Sequence, residues 1–387
     1  MAVYFLCPDS DHPTGGIKVI YRHVDILNHH GVTSRVLHQK KGFRCTWFEN
    51  DTAIAYTRFP LGSLLSRARN KIRGTLDPDG IRTIPLAGGS SSEIGPSDIL
   101  VIPETRGPDL ADIGRGIPRV ILNQNAFLTF KHFSFDTNNR KNPYADPTVR
   151  AVLVNSEHVE QYLHHAFPRL VTHRFYLSID PKLFFPGAPK KKRICLSRIK
   201  NPVDALQVIN ILKFRGLLAH YEVVPFINIP QDRVAMIMRE SLIFLSLGNR
   251  EGFGLPAAEA MACGCAVVGY HGWGGREFFK SEFSYPVADG DIIGFARHVE
   301  EVIKRYDCDP EAVLEKGRRA AEFIRQTYSP EREERELVEV WERVLCRRSQ
   351  ALSVRKAVTV PPAAKIEGAV GRMDTTSTNA GAPPLKP

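Results

Sequence analysis

Glu251-Gly252-Phe253-Gly254-Leu255-Pro256-Ala257-Ala258-Glu259-Ala260-Met261 comes shortly after the apolar run Ile243–Leu247. The run reads as a buried strand and the eleven residues as a turn opening a helix. Pro256 suits the first helical positions, where its missing N–H is not needed. The amides of Gly252, Phe253, Gly254 and Leu255 then point out of a helix N-terminus, an arrangement that attracts phosphate or a polarised oxygen. The two glycines permit close approach of a ligand to the backbone. Glu251 falls in the loop before the helix and Glu259 about one turn into it. Both carboxylates face one crevice at the C-terminal ends of parallel strands, where open α/β sheets bind ligands. Each can accept two hydrogen bonds from vicinal hydroxyls. An acidic helix N-terminus stabilised by its dipole, by roughly 0.3–1 kcal/mol, accounts for the same residues equally well.

Working outward, the chain alternates strand and helix. Strands are expected at Val3–Leu6, Val32–Leu37, Ile99–Ile102, Val120–Leu122 and Val152–Val154, with a helix at Ile17–His29 carrying Ile17, Ile20, Val24 and Leu27 at helical spacing. Phe184-Phe185-Pro186-Gly187-Ala188-Pro189 reads as a linker, and Lys190–Arg193 as its charge. A second series follows, with strands at Ile194–Ser197, Glu222–Pro225, Leu242–Ser246, Ala266–Gly269 and Ser284–Val287, and a clear helix at Pro256–Cys263. Short apolar runs separated by helices indicate parallel sheets covered on both faces. The expectation is two doubly wound α/β domains, 1–180 and 181–330, then a charged helix at 331–348. After Ser349 the chain is rich in Ala, Pro, Thr and Gly, and 349–387 is expected to be disordered.

Composition sets the outer limits. The chain has 387 residues, 43% hydrophobic and 24% charged, a balance typical of a globular protein of about two domains. No apolar run approaches the ~20 residues of a membrane-spanning helix. Met1–Leu6 lacks a basic region and reads as a strand, not a signal peptide. The seven cysteines are scattered, and the Cys263-x-Cys265 pair has no second pair to complete a zinc site. They are expected to be reduced thiols in a cytoplasmic protein. The net charge of +10 favours phosphorylated or polyanionic partners without choosing among nucleotide-sugar, nucleic acid and anionic membrane. Residues 59–80 read as surface loop and helix. Within them, Arg67, Arg69, Lys71 and Arg73 suit either a solvated helix face or peripheral contact at the inner face of a membrane. Asp9-Ser10-Asp11 and Asp77-Pro78-Asp79 are D-x-D pairs read as loops, and no metal is expected.

The spacing Glu251-x7-Glu259 within EGFGLPAAEAMACGCAVVG resembles the signature of retaining glycosyltransferases of family four, which have the GT-B fold. Val154–Glu157, Ser178-Ile179-Asp180 with Phe184-Phe185-Pro186, Gly274-Gly275-Arg276-Glu277 and Asp289-Gly290-Asp291 resemble further family segments, in the family's order. The resemblance spans roughly residues 3–345. It implies two Rossmann-like domains facing a cleft, acceptor in the first and nucleotide-sugar donor in the second. Glu251 would contact the donor sugar and Glu259 the ribose, while amides near Phe253, Gly254 and Leu255 serve sugar and diphosphate. The family neutralises the leaving diphosphate with an Arg and a Lys instead of a metal. Here these fall on Arg198 and Lys200, spaced R-x-K where the family has R-x4-K. Thr14-Gly15-Gly16 resembles the family's glycine-rich loop facing the diphosphate and acceptor. Gln124 and Asn125 stand where the family often has a histidine, and His132 nearby reads as a lone surface residue.

The resemblance implies transfer of a hexose or deoxyhexose from a nucleotide-sugar to a saccharide or lipid-linked acceptor, with retention, in polysaccharide biosynthesis and without a cofactor. The final helix would cross back to the first domain, the family's habit. Three rivals remain: a nucleotide-sugar epimerase on the same fold, a silent scaffold, and a basic nucleic-acid-binding protein. The last lacks an aromatic–basic motif, a zinc knuckle or a helix-turn-helix, so no nucleic acid is expected.

Overall fold

A computed structural model describes residues 1–58, 83–87, 93–138, 142–187 and 189–357, with side chains to Cys346. By its contacts the chain divides into Met1–Leu345, which holds the sheets of the described residues, and Cys346–Pro387. The expected loop and helix at 59–80, with its basic residues and Asp77-Pro78-Asp79, lies outside the described residues but for its neighbours at either end.

Element order follows the sequence reading closely. The strands are β1 (Val3–Leu6), β2 (Ser34–His38), β3 (Ile54–Tyr56), β4 (Ile84–Pro85), β5 (Glu93–Ile94), β6 (Ile99–Pro103), β7 (Arg119–Asn123), β8 (Val149–Val154), β9 (Thr172–Arg174), β10 (Lys191–Ser197), β11 (Glu222–Phe226), β12 (Ser241–Ser246), β13 (Ala266–Gly269) and β14 (Tyr285–Pro286). The helices are α1 (Gly15–His29), α2 (Glu157–Ala166), α3 (Pro202–Phe214), α4 (Gln231–Glu240), α5 (Leu255–Ala262), α6 (Ile292–Cys308), α7 (Pro310–Thr327) and α8 (Pro330–Ala357). Strands such as β1, β6, β7 and β12 are buried along their whole length, as expected where helices cover both faces.

One parallel sheet runs β3-β2-β1-β6-β7-β8-β9 and a second runs β11-β10-β12-β13-β14. The strand order reverses at β1/β6 in the first and at β10/β12 in the second. Such reversals open a crevice beyond the strands' C-terminal ends. A third, two-stranded antiparallel pair joins β4 to β5.

Three apolar clusters hold these layers. One lies on the outer face of each sheet, and the third runs continuously between the two halves. That shared core includes Phe5, Phe175, Phe253, Phe278, Tyr328 and Trp341. Phe253 sits 5.0 Å from Phe278 and 5.2 Å from Tyr328, ring centre to ring centre. α8 docks on the first half: Trp341 is 5.6 Å from Phe5, and Glu333 pairs with Arg22 of α1 and accepts from the Ser178 hydroxyl at 2.7 Å.

Three expectations need correction. α1 begins at Gly15, not Ile17, because both glycines pack inside the structure: a Cβ on Gly15 would lie 2.6 Å from Leu255, and one on Gly16 3.2 Å from Gln124. Lys190–Arg193 is not linker charge. Lys190 donates to the carbonyls of Cys263 at 2.8 Å and Met238 at 3.1 Å, and the next three residues sit in β10 paired with Glu240, Asp307 and Glu222. α8 continues past Ser349 to Ala357, since extending a formed helix fixes fewer dihedrals per hydrogen bond than starting one. All seven cysteines are free thiols, five of them buried.

Trp341 is 1% exposed in the shared core. Trp341→Ala should therefore lower the unfolding free energy by about 3–5 kcal/mol, read from urea midpoints at constant slope.

Candidate functional site

The loops beyond the two reversals converge on one cavity of about 540 Å³. From the first half come Gly15, Gly16 and Lys18 after β1, Glu104 after β6, Gln124 and Asn125 after β7, and Asn155 after β8. From the second come Ser197, Ile199 and Lys200 after β10, Asn228 and Gln231 after β11, and Glu251 to Pro256 with Glu259 after β12.

The turn before α5 is built as its residues suggest. Gly254 takes φ +96°, a left-handed conformation that favours glycine, and Pro256 stands in the first turn of the helix. Phe253 turns its side chain into the shared core, leaving its backbone to the cavity. Gly252 is the most closely approached of the described glycines. A Cβ there would collide with the backbone of Gln124 and Asn125, and one on Gly274 would collide with Gly252 itself. The Ser156 hydroxyl donates to the Gly252 carbonyl at 2.5 Å, and the Asn125 amide to the Arg250 carbonyl at 3.1 Å. Glu277 extends this joint, accepting from the Glu157 N–H at 2.8 Å and pairing with Arg174.

Glu251 is held from behind. Its N–H donates to Gly272 at 2.9 Å and its carbonyl accepts from Gly274 at 3.2 Å. Between those residues Trp273 has φ +69°, a strained conformation for a bulky residue, with the Arg276 guanidinium 3.8 Å over its ring. The Glu251 side chain pairs with the Lys200 ammonium at 2.7 Å. Lys200 therefore reaches the cavity, whereas Arg198 is exposed and does not line it.

Glu259 projects from α5 toward the cavity. Burial pushes its carboxyl up to about 7, against the opposing pull of Lys18 and a hydrogen bond from Gln231. Gln231 donates to it at 3.3 Å and accepts from Lys18 at 2.5 Å, a chain running from α5 through α4 to α1. Across the cavity Gln124 donates to the Gly16 carbonyl at 3.0 Å. Its polar end thus packs on the glycine-rich turn. Asp9 and Asp11 are both engaged in loop contacts: Asp9 binds His38 at 2.8 Å and the Lys40 N–H at 2.8 Å, and Asp11 binds Thr46. His132 is exposed, with φ +66°, and does not line the cavity.

The structure thus brings together Gly15, Gly16, Gln124, Asn125, Lys200, Glu251, Gly252, Phe253, Gly254, Leu255 and Glu259. Sequence reasoning missed Lys18, Gln231 and Glu104, and it places Ser156 only within the family-like segment Val154–Glu157, with no role at the joint. Lys18 carried a signal, standing one turn after the glycines on the same helix. Gln231 carried none, because only the fold sets α4 beside α5.

The arrangement is that of a GT-B fold, with two doubly wound halves facing a cleft that gathers helix N-terminal amides, lysines and several carboxylates. Residues 162–321 match the family model described as Glycosyl transferases group 1. The chain is 29% identical over 227 residues to an alpha-1,6-glucosyltransferase of Actinobacillus pleuropneumoniae serotype 7, covering 54% of this chain and 65% of that protein. It is 28% identical over 168 residues to an N-acetyl-alpha-D-glucosaminyl L-malate synthase of Bacillus anthracis, covering 43% and 37%. Each match spans less than two thirds of the relative's length. Solved structures resemble the fold at greater distance. S. aureus TarM, in a mutant bound to fondaparinux, alpha-GlcNAc-glycerol and UDP, has TM-score 0.59 and 10% identity over 89% of this chain and 99% of that one. Sucrose-phosphate synthase of Thermosynechococcus elongatus has TM-score 0.58 and 13% identity over 92% and 100%. Anabaena HepE in complex with UDP and glucose has TM-score 0.57 and 14% identity over 90% and 100%.

The raised Glu259 carboxyl has a thermodynamic consequence. The folded chain binds a proton at this site more tightly than the unfolded chain does, so its contribution to stability is present below the ordinary carboxyl range and is lost as pH rises toward 7. Glu259→Gln should remove part of the fall in melting temperature between pH 4.5 and 7 and leave the variant more stable than wild type at pH 8, read by thermal melts across that range.

Proposed function

We propose that this protein is a retaining, metal-independent glycosyltransferase. It moves a hexose or deoxyhexose from a nucleotide-sugar to a saccharide or lipid-linked acceptor. The observation that carries the reading is the convergence of Lys200, Glu251, Glu259 and the Gly252–Leu255 amides on one cavity between the two sheets. The second sheet, with α3–α7, serves as the donor domain and the first sheet as the acceptor side.

The roles follow from charge and placement. The ribose hydroxyls lie against Glu259, which Gln231 and Lys18 hold in place. The diphosphate lies over the α5 N-terminus, where free N–H groups and the helix dipole favour negative charge. As the glycosidic bond breaks, charge accumulates on the terminal phosphate, and a positioned cation there stabilises the transition state more than the ground state. Lys200 is that cation. Its partner Glu251 orients the transferred sugar through the sugar's hydroxyls and is not a covalent nucleophile. Attack on the same face as departure lets the leaving phosphate take the acceptor's proton. Arg198, exposed and off the cavity lining, supplies a second cation only if the loop turns on donor binding. The tight joint at Gly252 keeps water from the reacting carbon, limiting donor hydrolysis. The names of the relatives, a glucosyltransferase and a glucosaminyl malate synthase, and the UDP in the TarM and HepE structures support a uridine-linked hexose as the first donor to test.

Thermal melts with UDP, ADP, GDP and TDP check the donor site. A ligand at about 100 times its dissociation constant adds ~2.7 kcal/mol of stability. One diphosphate should raise the melting temperature, with and without EDTA, and Glu259→Ala should abolish the rise. Lys200→Ala should lower kcat by about 10²–10³-fold and also weaken binding of the diphosphate, which carries the charge that Lys200 meets. No rise with any diphosphate would refute the reading.

A further inference from the structure

Among the described side-chain atoms that line the cavity, three buried ones on the first-sheet side have no hydrogen-bond partner: Trp47 Nε1, Glu104 Oε2 and Asn155 Oδ1. Glu104 is 2% exposed and its Oε2 meets no hydrogen-bond donor. Asn155 is 5% exposed and its Oδ1 is likewise unpartnered. Both residues line the 540 Å³ cavity. They flank Gln124–Asn125 at three consecutive strand ends, since β6, β7 and β8 are neighbours in register: Pro103 lies beside Leu122, and Asn123 beside Val154. Native proteins seldom leave buried polar atoms unpaired, and where they do a ligand or solvent is the usual partner.

We propose that Glu104 and Asn155 form the acceptor subsite and bind hydroxyl groups of a neutral saccharide. The inference rests on the glycosyltransferase reading and deepens it. Asn155 Oδ1 accepts, as does Glu104 Oε2 when ionised, while Trp47 Nε1–H donates, and the neighbouring hydroxyls of a sugar ring both donate and accept. A carboxylate or phosphate at this point would face Glu104 in a water-poor site and be repelled. Location agrees. Asn155 adjoins Ser156, which holds Gly252, and Asn125 reaches Arg250, so the subsite opens beside the turn that carries Glu251. Burial also pushes the Glu104 carboxyl up to about 7, against the N–H groups of Gln124 and Asn125 and the charge of Lys131. A hydroxyl donor arriving at Oε2 favours the ionised form and relieves that strain.

Saturation-transfer NMR and titration on the UDP-loaded full chain decide the matter, with methyl α-glucoside, methyl β-galactoside, N-acetylglucosamine and glucuronate as probes. At least one neutral sugar should bind. Glu104→Gln and Asn155→Ala should each weaken its Kd tenfold or more while the UDP Kd stays within twofold, which a purely structural role would not produce. Glucuronate should bind more weakly than its neutral counterpart. Failure of every neutral sugar to bind the UDP-loaded protein would overturn the subsite, as would unchanged sugar affinity in both variants or a preference for glucuronate. Should Glu104→Gln not fold, Asn155→Ala decides alone. If neither UDP nor another nucleoside diphosphate binds wild type, the donor reading itself has failed, an outcome distinct from loss of the subsite.

Discussion

The two halves of the molecule touch backbone to backbone at Gly252, and the site depends on that contact. Gln124 of the first half lies so close that no side chain fits at position 252, and Gly274 closes in from the other side. The Ser156 hydroxyl seals the contact through the Gly252 carbonyl. Because the joint sits in the turn that opens α5, its rigidity passes to Glu251 on one side and to the helix amides on the other. Gly252, one of the two glycines that sequence reasoning assigns to ligand approach, also brings the two halves together.

Around this joint the molecule accepts several costs typical of binding sites. Trp273 has a strained backbone next to Glu251. Glu259 and Glu104 are carboxyls in surroundings that disfavour their charge. Lys18 is desolvated, and its ammonium is lowered from the usual range by burial despite the carboxylates of Glu259 and Asp180. The shared aromatic core and α8 hold these features in place. Trp341, Phe5, Phe253 and Tyr328 form a continuous apolar layer beneath the cleft, so the polar groups rest on a rigid floor.

Much of the fold was legible in the sequence. The apolar runs of the central strands gave their positions to within a residue or two at most ends, because strands buried on both faces are apolar throughout. Edge elements were harder. β9 is Thr172-His173-Arg174, with no apolar residue, and becomes a strand only because β8 offers free hydrogen-bonding groups. Lys190 looked like linker charge because nothing local reveals that its ammonium would meet the Cys263 and Met238 carbonyls.

The sequence by itself determined the alternation of strand and helix and the turn that sets Glu251 and Glu259 on one side of α5. These are local matters of side-chain periodicity, glycine freedom and proline geometry. Only the tertiary structure decided which cation meets Glu251, that Gln231 and Lys18 hold Glu259, and that Glu104 and Asn155 stand unpartnered in the same cavity. Those facts depend on strand order across two sheets and on which atoms lose water. Contacts between residues more than a hundred positions apart, such as Lys18 with Gln231, leave no trace in local spacing.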